Sequence, residues 1–590
     1  VNEHVRPALP PEVARKMAEI ARQRSAANPD PLPISEPEPE ELSVQLSPRE
    51  ILDRCALEPE TDIGNGRRFI ERYGDDIVNV ARVGWHVWDG RRFREDEDGS
   101  GVRPLAQRTA EFIDDEAILL DATEAEQVAI EDGRLAIEEL KSIGKPQKEW
   151  TVEQIDKHDA LQARVSRMVA ADKERKGRQS SRHNHAKSSA GTSKINNMLT
   201  EAAPHCARMV KDLNTDLYAL NLESGTLRFV RAGGNWNVRL DPHRQRDFIT
   251  KLAPVRFDAD AYSPVFERFL ETVQPIEELR RFIQRFFGYC LLGTTSEHCL
   301  LFFYGAGRNG KSTLAELMLD LLGDYAVSMS IDSFAGDHQR KGSDATPDLA
   351  RLPGVRLVTA EEPEQGVKLK GALIKKMTGG TKMDVRRLNQ EFFELMPHFK
   401  LVISGNHKPI IVDDSDGMWA RVHMIPFDVQ IPREQIDRDL PAKLRAERDG
   451  VFAWMVRGAI DYLENGLRPP KQVVEATEEY RQDSDPIGDF LRNGCEVTGE
   501  EYDEEVPGAL VDAFRIYAKK NGLPEFNQAT ITRRLPDQAK KDWTAPDGTK
   551  RQFWRARSNG TVYRGIKIKS EYRAGSGTRR HDEDDPFTVD

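Results

Sequence analysis

Cysteine is scarce in this chain, and none of it is paired in the sequence. Cys55, Cys206, Cys290, Cys299 and Cys495 are scattered over 590 residues with no Cys-x-x-Cys. That spacing excludes a zinc ribbon and predicts five reduced, structural thiols. Apolar runs are short as well. No stretch approaches the ~18 uninterrupted apolar residues of a membrane span, and the opening VNEHVRPALPPEVARK lacks the apolar core of a secretory signal. These absences predict a cytoplasmic protein with no membrane partner. Net basic charge is lacking too: 98 acidic against 86 basic residues leave a balance of −12. Such a chain does not wrap nucleic acid around its outer surface, although a local basic channel stays open to it.

What is present is a composition of 38% hydrophobic and 31% charged residues, in a chain long enough for several cores. Residues 1–58 are rich in Pro, Glu and Ser (PDPLPISEPEPEELS), which predicts a disordered arm. Residues 59–296 read as an α+β N-terminal domain. In it GRRFIERYGDDIVNVARVGWHVWDGRRF alternates apolar and polar positions, with Asp89-Gly90 as a turn. A charged helical insertion occupies about 112–190, with a linker near Ser142 to Pro146, and its basic run at 173–187 reads as a solvated helix face, with contact to phosphates as the alternative.

Residues 297–470 alternate strands and helices, as an α/β sheet requires, and LLFFYG at 300–305 has the continuous apolar character of a buried parallel strand. From 471 to 570 two helical patterns precede KRQFWRARSNGTVYRGIKIK, a hairpin turning at Asn559-Gly560. Helix, helix, basic hairpin predicts a winged-helix-like domain. It is locally basic through Arg533, Arg534, Lys550, Arg551, Arg555 and Arg564, for contact with DNA or with a neighbouring subunit. Residues 571–590 read as an acidic disordered tail.

The strongest motif is Gly305-Ala306-Gly307-Arg308-Asn309-Gly310-Lys311-Ser312, followed by Thr313. It fits G-x-x-x-x-G-K-[ST] between a strand and a helix. Its glycines let backbone N–H groups surround phosphates, and the helix N-terminus adds partial positive charge. Lys311 is expected on the β- and γ-phosphates of ATP, and Ser312 on Mg²⁺. Hydrolysis also needs a carboxylate at a neighbouring strand end, and VRLVTA closes on Glu361 and Glu362. One acid would anchor the metal and one would orient or deprotonate the water. A third strand, FKLVIS, ends at Asn406, whose amide can bond a phosphate oxygen and the attacking water. Arg421, in MWARV, is placed to reach the ATP of an adjacent subunit and neutralise transition-state charge.

Taken together these residues resemble the superfamily 3 helicases, in particular the helicase half of phage and plasmid primase-helicases related to the poxvirus enzyme. The resemblance rests on FFYGAGRNGKST, LVTAEEPE, LIKKMTGGTKMDVRRLNQEFFELMPHFK, LVISGNHKP and GMWARVHMIPF, in that order. It implies a P-loop NTPase of AAA+-like type. By its register Glu362 is the metal and water acid, and Glu361 stands where a small residue is usual. It implies a homohexameric ring acting on single-stranded and forked DNA in a bacterial host, and a DNA-gripping hairpin with Lys382, Arg386 and Arg387. A polymerising primase domain would need paired acids that the arm before residue 60 does not offer, so primer synthesis is expected of a separate primase partner. The rival expectation is an ATP-binding loader or initiator module that separates no strands.

Overall fold

The computed structural model describes residues 32–36, 46–143, 148, 150–335, 346–361, 367–387, 391–411, 413, 415–523, 526–545, 547–558 and 560–573. Most of the expected arm, Gly144 to Pro146 of the expected linker, Asn559 of the expected hairpin turn and residues 574–590 of the expected tail lie outside them. Two parts of the arm are described, and they are ordered. Pro48–Ala56 forms helix α1, because Ser47 and Glu50 close a capping box and Cys55 and Ala56 bury. Ile34 bridges Val238, with Leu32 buried beside it. Local capping and a few apolar anchors override the Pro/Glu-rich composition here.

The N-terminal unit joins a small sheet to a helical array. Strands β1 (Ile77–Val80), β2 (Gly84–Trp88), β3 (Phe93–Glu95) and β4 (Ala207–Arg208) take the order β3-β2-β1-β4. Around them stand α2 (Asp62–Tyr73), α3 (Val102–Asp115), α4 (Glu124–Ser142), α5 (Val152–Ser189) and α6 (Thr192–Ala202). The basic run at 173–187 falls within α5 but is not simply a solvated face. Arg182 is buried against Glu116, which also receives Arg68 Nε at 3.0 Å. Both Arg68 and Glu116 are fully buried, and the surplus positive charge is spread over the carbonyls of Glu58 and Pro59 (2.6 and 2.8 Å). A buried charge set of this kind survives because every member is hydrogen-bonded.

Strands β5 (Ala219–Leu222), β6 (Gly225–Ala232) and β7 (Asn235–Asp241) form an antiparallel sheet. Together with α7 (Pro264–Val273) and α8 (Glu277–Tyr289) it packs into the same hydrophobic cluster as the central sheet. By packing, therefore, the second half of the expected N-terminal domain belongs with the core that follows.

That core is a parallel sheet of β8 (Leu300–Tyr304), β9 (Ala326–Ser330), β10 (Leu357–Glu361), β13 (Lys400–Gly405) and β14 (Val422–Pro426). Its order is β14-β8-β13-β10-β9. Between β10 and β13 the chain makes an antiparallel hairpin, β11 (Met383–Arg386) with β12 (Phe392–Leu395). Side chains alternate across the central sheet with period two. Leu301, Phe303, Leu357 and Val402 join one cluster, with α8, α9 (Lys311–Leu322) and α10 (Arg448–Asn465). Leu300, Phe302, Val358, Leu401 and Ile403 join the other. Arg356 is fully buried just before β10 and donates to the carbonyls of Leu217 and Ala219 (both 3.2 Å), tying the sheet to β5. Burial pushes its pKa down to about 10.

Helix α11 (Lys471–Asp483) was expected in the C-terminal domain but packs on the central sheet. Tyr480 joins that core, and Thr477 Oγ1 accepts from Met424 N at 3.0 Å. The C-terminal core begins instead at α12 (Pro486–Asn493). It continues through β15 (Cys495–Val497), α13 (Pro507–Asn521), α14 (Gln528–Gln538), the antiparallel pair β16 (Trp554–Ser558) and β17 (Gly560–Arg564), and β18 (Ile566–Ile568). All five cysteines are buried free thiols. Among the described residues no helix is long and apolar enough to cross a membrane.

Burial pushes the imidazole pKa of His423, on β14 and edge-on to Phe282, down to about 4. Burial, then the charges of Arg356 and Lys400, do the same to His398. The folded chain excludes protons that the unfolded chain binds. Stability is thus complete above about pH 6.5, the unperturbed histidine value, and falls as pH drops from there toward 4. Each histidine should account for ~1–3 kcal/mol of that loss. His423→Phe should show a smaller drop in thermal midpoint between pH 7 and pH 4.5 than the wild type. An unchanged drop would remove His423 as a contributor.

Candidate functional site

Three consecutive sheet positions deliver the expected chemistry to one edge. The loop after β8 carries Lys311, the turn after β13 carries Asn406, and β10 ends at Glu361. Because β8, β13 and β10 are adjacent and parallel, all three residues stand at carboxyl ends of neighbouring strands. In sheets of this kind that edge is where ligands bind.

The loop itself has a shape that an anion would fit. Gly307 (φ 90°), Arg308 (φ 52°) and Gly310 (φ 80°) are left-handed, which turns successive N–H groups into one concavity. Gly310 has a second constraint, since a Cβ there would fall 2.6 Å from Val273 and 2.9 Å from Phe269 of α7. The loop is pinned from behind: Asn309 Nδ2 donates to Phe427 O at 3.0 Å, and Ile431 N donates to Arg308 O at 2.8 Å. Helix α9 starts at Lys311, so its unpaired N–H groups and dipole point into the same space. Ala306, Arg308 and Ser312 are exposed, with Ser312 in the first turn of α9 next to Thr313.

Lys311 is buried, and its ammonium donates to Gly305 O (2.7 Å), Asn309 Oδ1 (3.0 Å) and Asn406 Oδ1 (3.2 Å). This brings together residues 95 positions apart. Neutral oxygens hold a cation in place more weakly than a phosphate would. The residues therefore fit a polyphosphate with a divalent cation: ammonium, N–H nest and helix terminus for the anion, Ser312 with the acidic strand end for the metal. Glu361 is half-buried, in register with Ser404 and Ser330. Glu362 lies outside the described residues.

Arg421 is not brought to this edge. Its carbonyl accepts from Leu300 N at the start of β8, and its guanidinium donates to Gly417 O within its own turn. The phosphate loop lies beyond the other end of β8, about 15 Å away at ~3.3 Å per residue. Arg421 cannot serve the loop of its own chain.

The hairpin residues also find partners. Lys382 pairs with Glu394 (2.7 Å), and Arg386 lies over Phe392 (5.2 Å to the ring centroid). Arg387 reaches Glu95 at the end of β3, Nη2 to Oε2 at 3.0 Å. Burial raises the Glu95 pKa, but Arg387's hydrogen bond and charge hold it below the ordinary range overall. Beside this pair a cleft of about 1030 Å³ contains Lys251, whose pKa burial lowers to about 8. Glu95 lies 292 residues from Arg387, and no sequence signal points to it.

Two family models match the chain: "D5 N terminal like" over residues 66–275 and a family of unknown function over 303–421. Neither match extends past residue 421. A helicase-named protein of Acanthamoeba polyphaga mimivirus is 31% identical over 240 residues, covering 38% of this chain and 25% of that protein. A helicase-named protein of Frog virus 3 is 31% identical over 241 residues, again 38% and 25%. Primase-named proteins of African swine fever virus are 22% identical over 214 residues, 36% of this chain and 22% of theirs. The chain thus spans about a quarter of the length of these relatives. Among solved structures, the NrS-1 C-terminal region overlaps at TM-score 0.34 and 12% identity, covering 58% of this chain and 82% of that chain.

The contact between Lys311 and Asn406 generates a test. Asn406→Asp would set a carboxylate on the Lys311 ammonium and make it compete with phosphate. Affinity for a fluorescent nucleoside triphosphate should fall by about tenfold or more. Asn406→Gln should cost less. Equal affinities for wild type and Asn406→Asp would dissociate Asn406 from the nucleotide.

Proposed function

The chain belongs to the D5-like family of primase-helicases, and on that premise we propose that it is an ATP-driven motor of superfamily 3 type that unwinds DNA. The observation that carries the reading is the convergence of Lys311, Asn309 and Asn406 at the carboxyl edge of the parallel sheet, with Glu361 one strand further on. The strand order supports a P-loop core of AAA+-like type. It sets the Asn406 strand between β8, which feeds the glycine-rich loop, and β10, which ends at Glu361, and this order supports a polar amide standing between a bound phosphate and a carboxylate.

In this reading Lys311 and the N–H groups of 305–313 hold the triphosphate of ATP. Ser312 and the acidic strand end would hold Mg²⁺, which would neutralise charge on the phosphate oxygens when bound. Asn406 orients the attacking water, and Glu362, with Glu361 beside it, takes its proton. Arg421 lies a strand length from its own loop, which supports its acting on the ATP of a neighbouring subunit. A ring is the closed arrangement in which every loop meets a neighbour's arginine. The hairpin residues Lys382, Arg386 and Arg387 then face translocating DNA, and switching of subunit contacts moves them.

Two variants test the shared site. Lys311→Ala should lose ATP turnover. Arg421→Ala should bind ATP but turn it over roughly 10³-fold more slowly. Mixed, the two should regain measurable hydrolysis, because one interface type then holds both functional residues. Strand displacement from a forked DNA is the second readout. Hydrolysis without displacement would assign the chain to loading, and no rescue on mixing would refute the shared interface.

A further inference from the structure

The C-terminal unit carries charge that the nucleotide site does not use. Residues 550–569 hold seven Lys and Arg and no Asp or Glu, within a chain of net charge −12. Part of that charge is already committed. Arg551 pairs with Asp547 (2.6 Å), and Arg564 with Glu501 (2.7 Å) and Glu504 (3.2 Å). Lys569 donates to Asn493 O (2.8 Å), and Arg534 of α14 lies over Phe526 (5.4 Å). The rest is presented to solvent. Lys550, Arg555, Arg557 and Lys567 are exposed, as is Arg533 on α14, and none has an acidic partner among the described residues.

These cations share one rigid support. Ile531 and Leu535 of α14 bury in the same cluster as Phe553 and Tyr563 of the hairpin. Gln552 Nε2 donates to Asp542 Oδ1 at 2.9 Å, closing the hairpin onto the segment that follows α14. Arg555 and Arg557, two apart on β16, lie on one face. The exposed aromatic of the hairpin, Trp554, lies against backbone: a Cβ at Gly565 would fall 2.9 Å from its ring. A surface of guanidinium and ammonium groups with its indole laid on the chain suits phosphates of a stacked duplex. It suits unstacked bases, which need aromatic platforms, less well.

We propose that α14 and the β16–β17 hairpin form a docking surface for duplex DNA, gripped through its phosphates by Arg533, Lys550, Arg555, Arg557 and Lys567. A helix and an adjacent hairpin give two contacts on one duplex. The surface lies apart from the nucleotide site and does not depend on the motor reading.

The test is fluorescence anisotropy of the full chain with a blunt, labelled DNA duplex across a salt series. Arg555→Glu with Arg557→Glu should weaken binding by about tenfold or more, and the Ala pair should flatten the log–log salt slope by about two. The Lys pair should keep most of the affinity. Lys550→Glu with Lys567→Glu, at separate positions, should reproduce the loss without lowering the thermal midpoint. Lys311→Ala should bind the duplex as the wild type does, which separates this surface from the motor. Wild-type duplex affinity in both Glu pairs would overturn the proposal. So would tighter binding to an RNA duplex, or a defect confined to subunit assembly seen by sedimentation.

Discussion

A sheet buried on both faces leaves its polar chemistry nowhere to go but the strand ends. The strands of the central sheet alternate their side chains into two hydrophobic clusters, so no charged group sits mid-strand. Lys400 comes nearest to an exception, at the very start of β13. It is fully buried, its amine donates to Leu292 O, it lies 4.1 Å from the Tyr289 ring centroid, and burial lowers its pKa to about 7. At the other edge, parallel pairing aligns Lys311, Asn406 and Glu361 without any sequence proximity. The three residues meet at one edge because the strands are parallel. An antiparallel neighbour would send its terminus to the opposite end.

That polarity also explains the division of labour among the basic residues. Lys311 is held at the carboxyl edge, where its ammonium donates to oxygens of Gly305, Asn309 and Asn406. Arg421 is carried to the amino end of β14, a strand length away. The chain therefore separates Lys311 from Arg421, and under the proposed motor reading a second subunit would bring the two kinds of group together. The hairpin is coupled differently. Arg387 is tied to Glu95 of the N-terminal unit, so movement of the hairpin strains a contact with β3. The buried set of Arg68, Glu116 and Arg182 fixes the helices around that strand.

Legibility in the sequence followed the range of the physics. The glycine-rich loop between strand and helix was readable because its glycines, its lysine and the flanking elements lie within about a dozen residues and each answers a local demand. Asn406 was readable as a polar residue closing an apolar strand, although its contact with Lys311 was not. The composition-based reading of the arm failed at Pro48–Ala56, where a capping box outweighs a Pro/Glu-rich neighbourhood. That Lys471–Asp483 packs on the central sheet was not legible, because an amphipathic helix states that it has a buried face and not which core that face meets.

The sequence by itself determined the parallel α/β character of the core, the glycine-rich turn between β8 and α9 and the order of the polar residues along the chain. These depend on side-chain periodicity and on backbone freedom over short spans. The tertiary structure alone decided that Lys311 and Asn406 touch, that Arg421 stands apart from both, that Arg387 is held by Glu95, and which C-terminal cations lack an acidic partner among the described residues. Those facts depend on strand order and on packing between segments hundreds of residues apart, and linear spacing does not encode such distances.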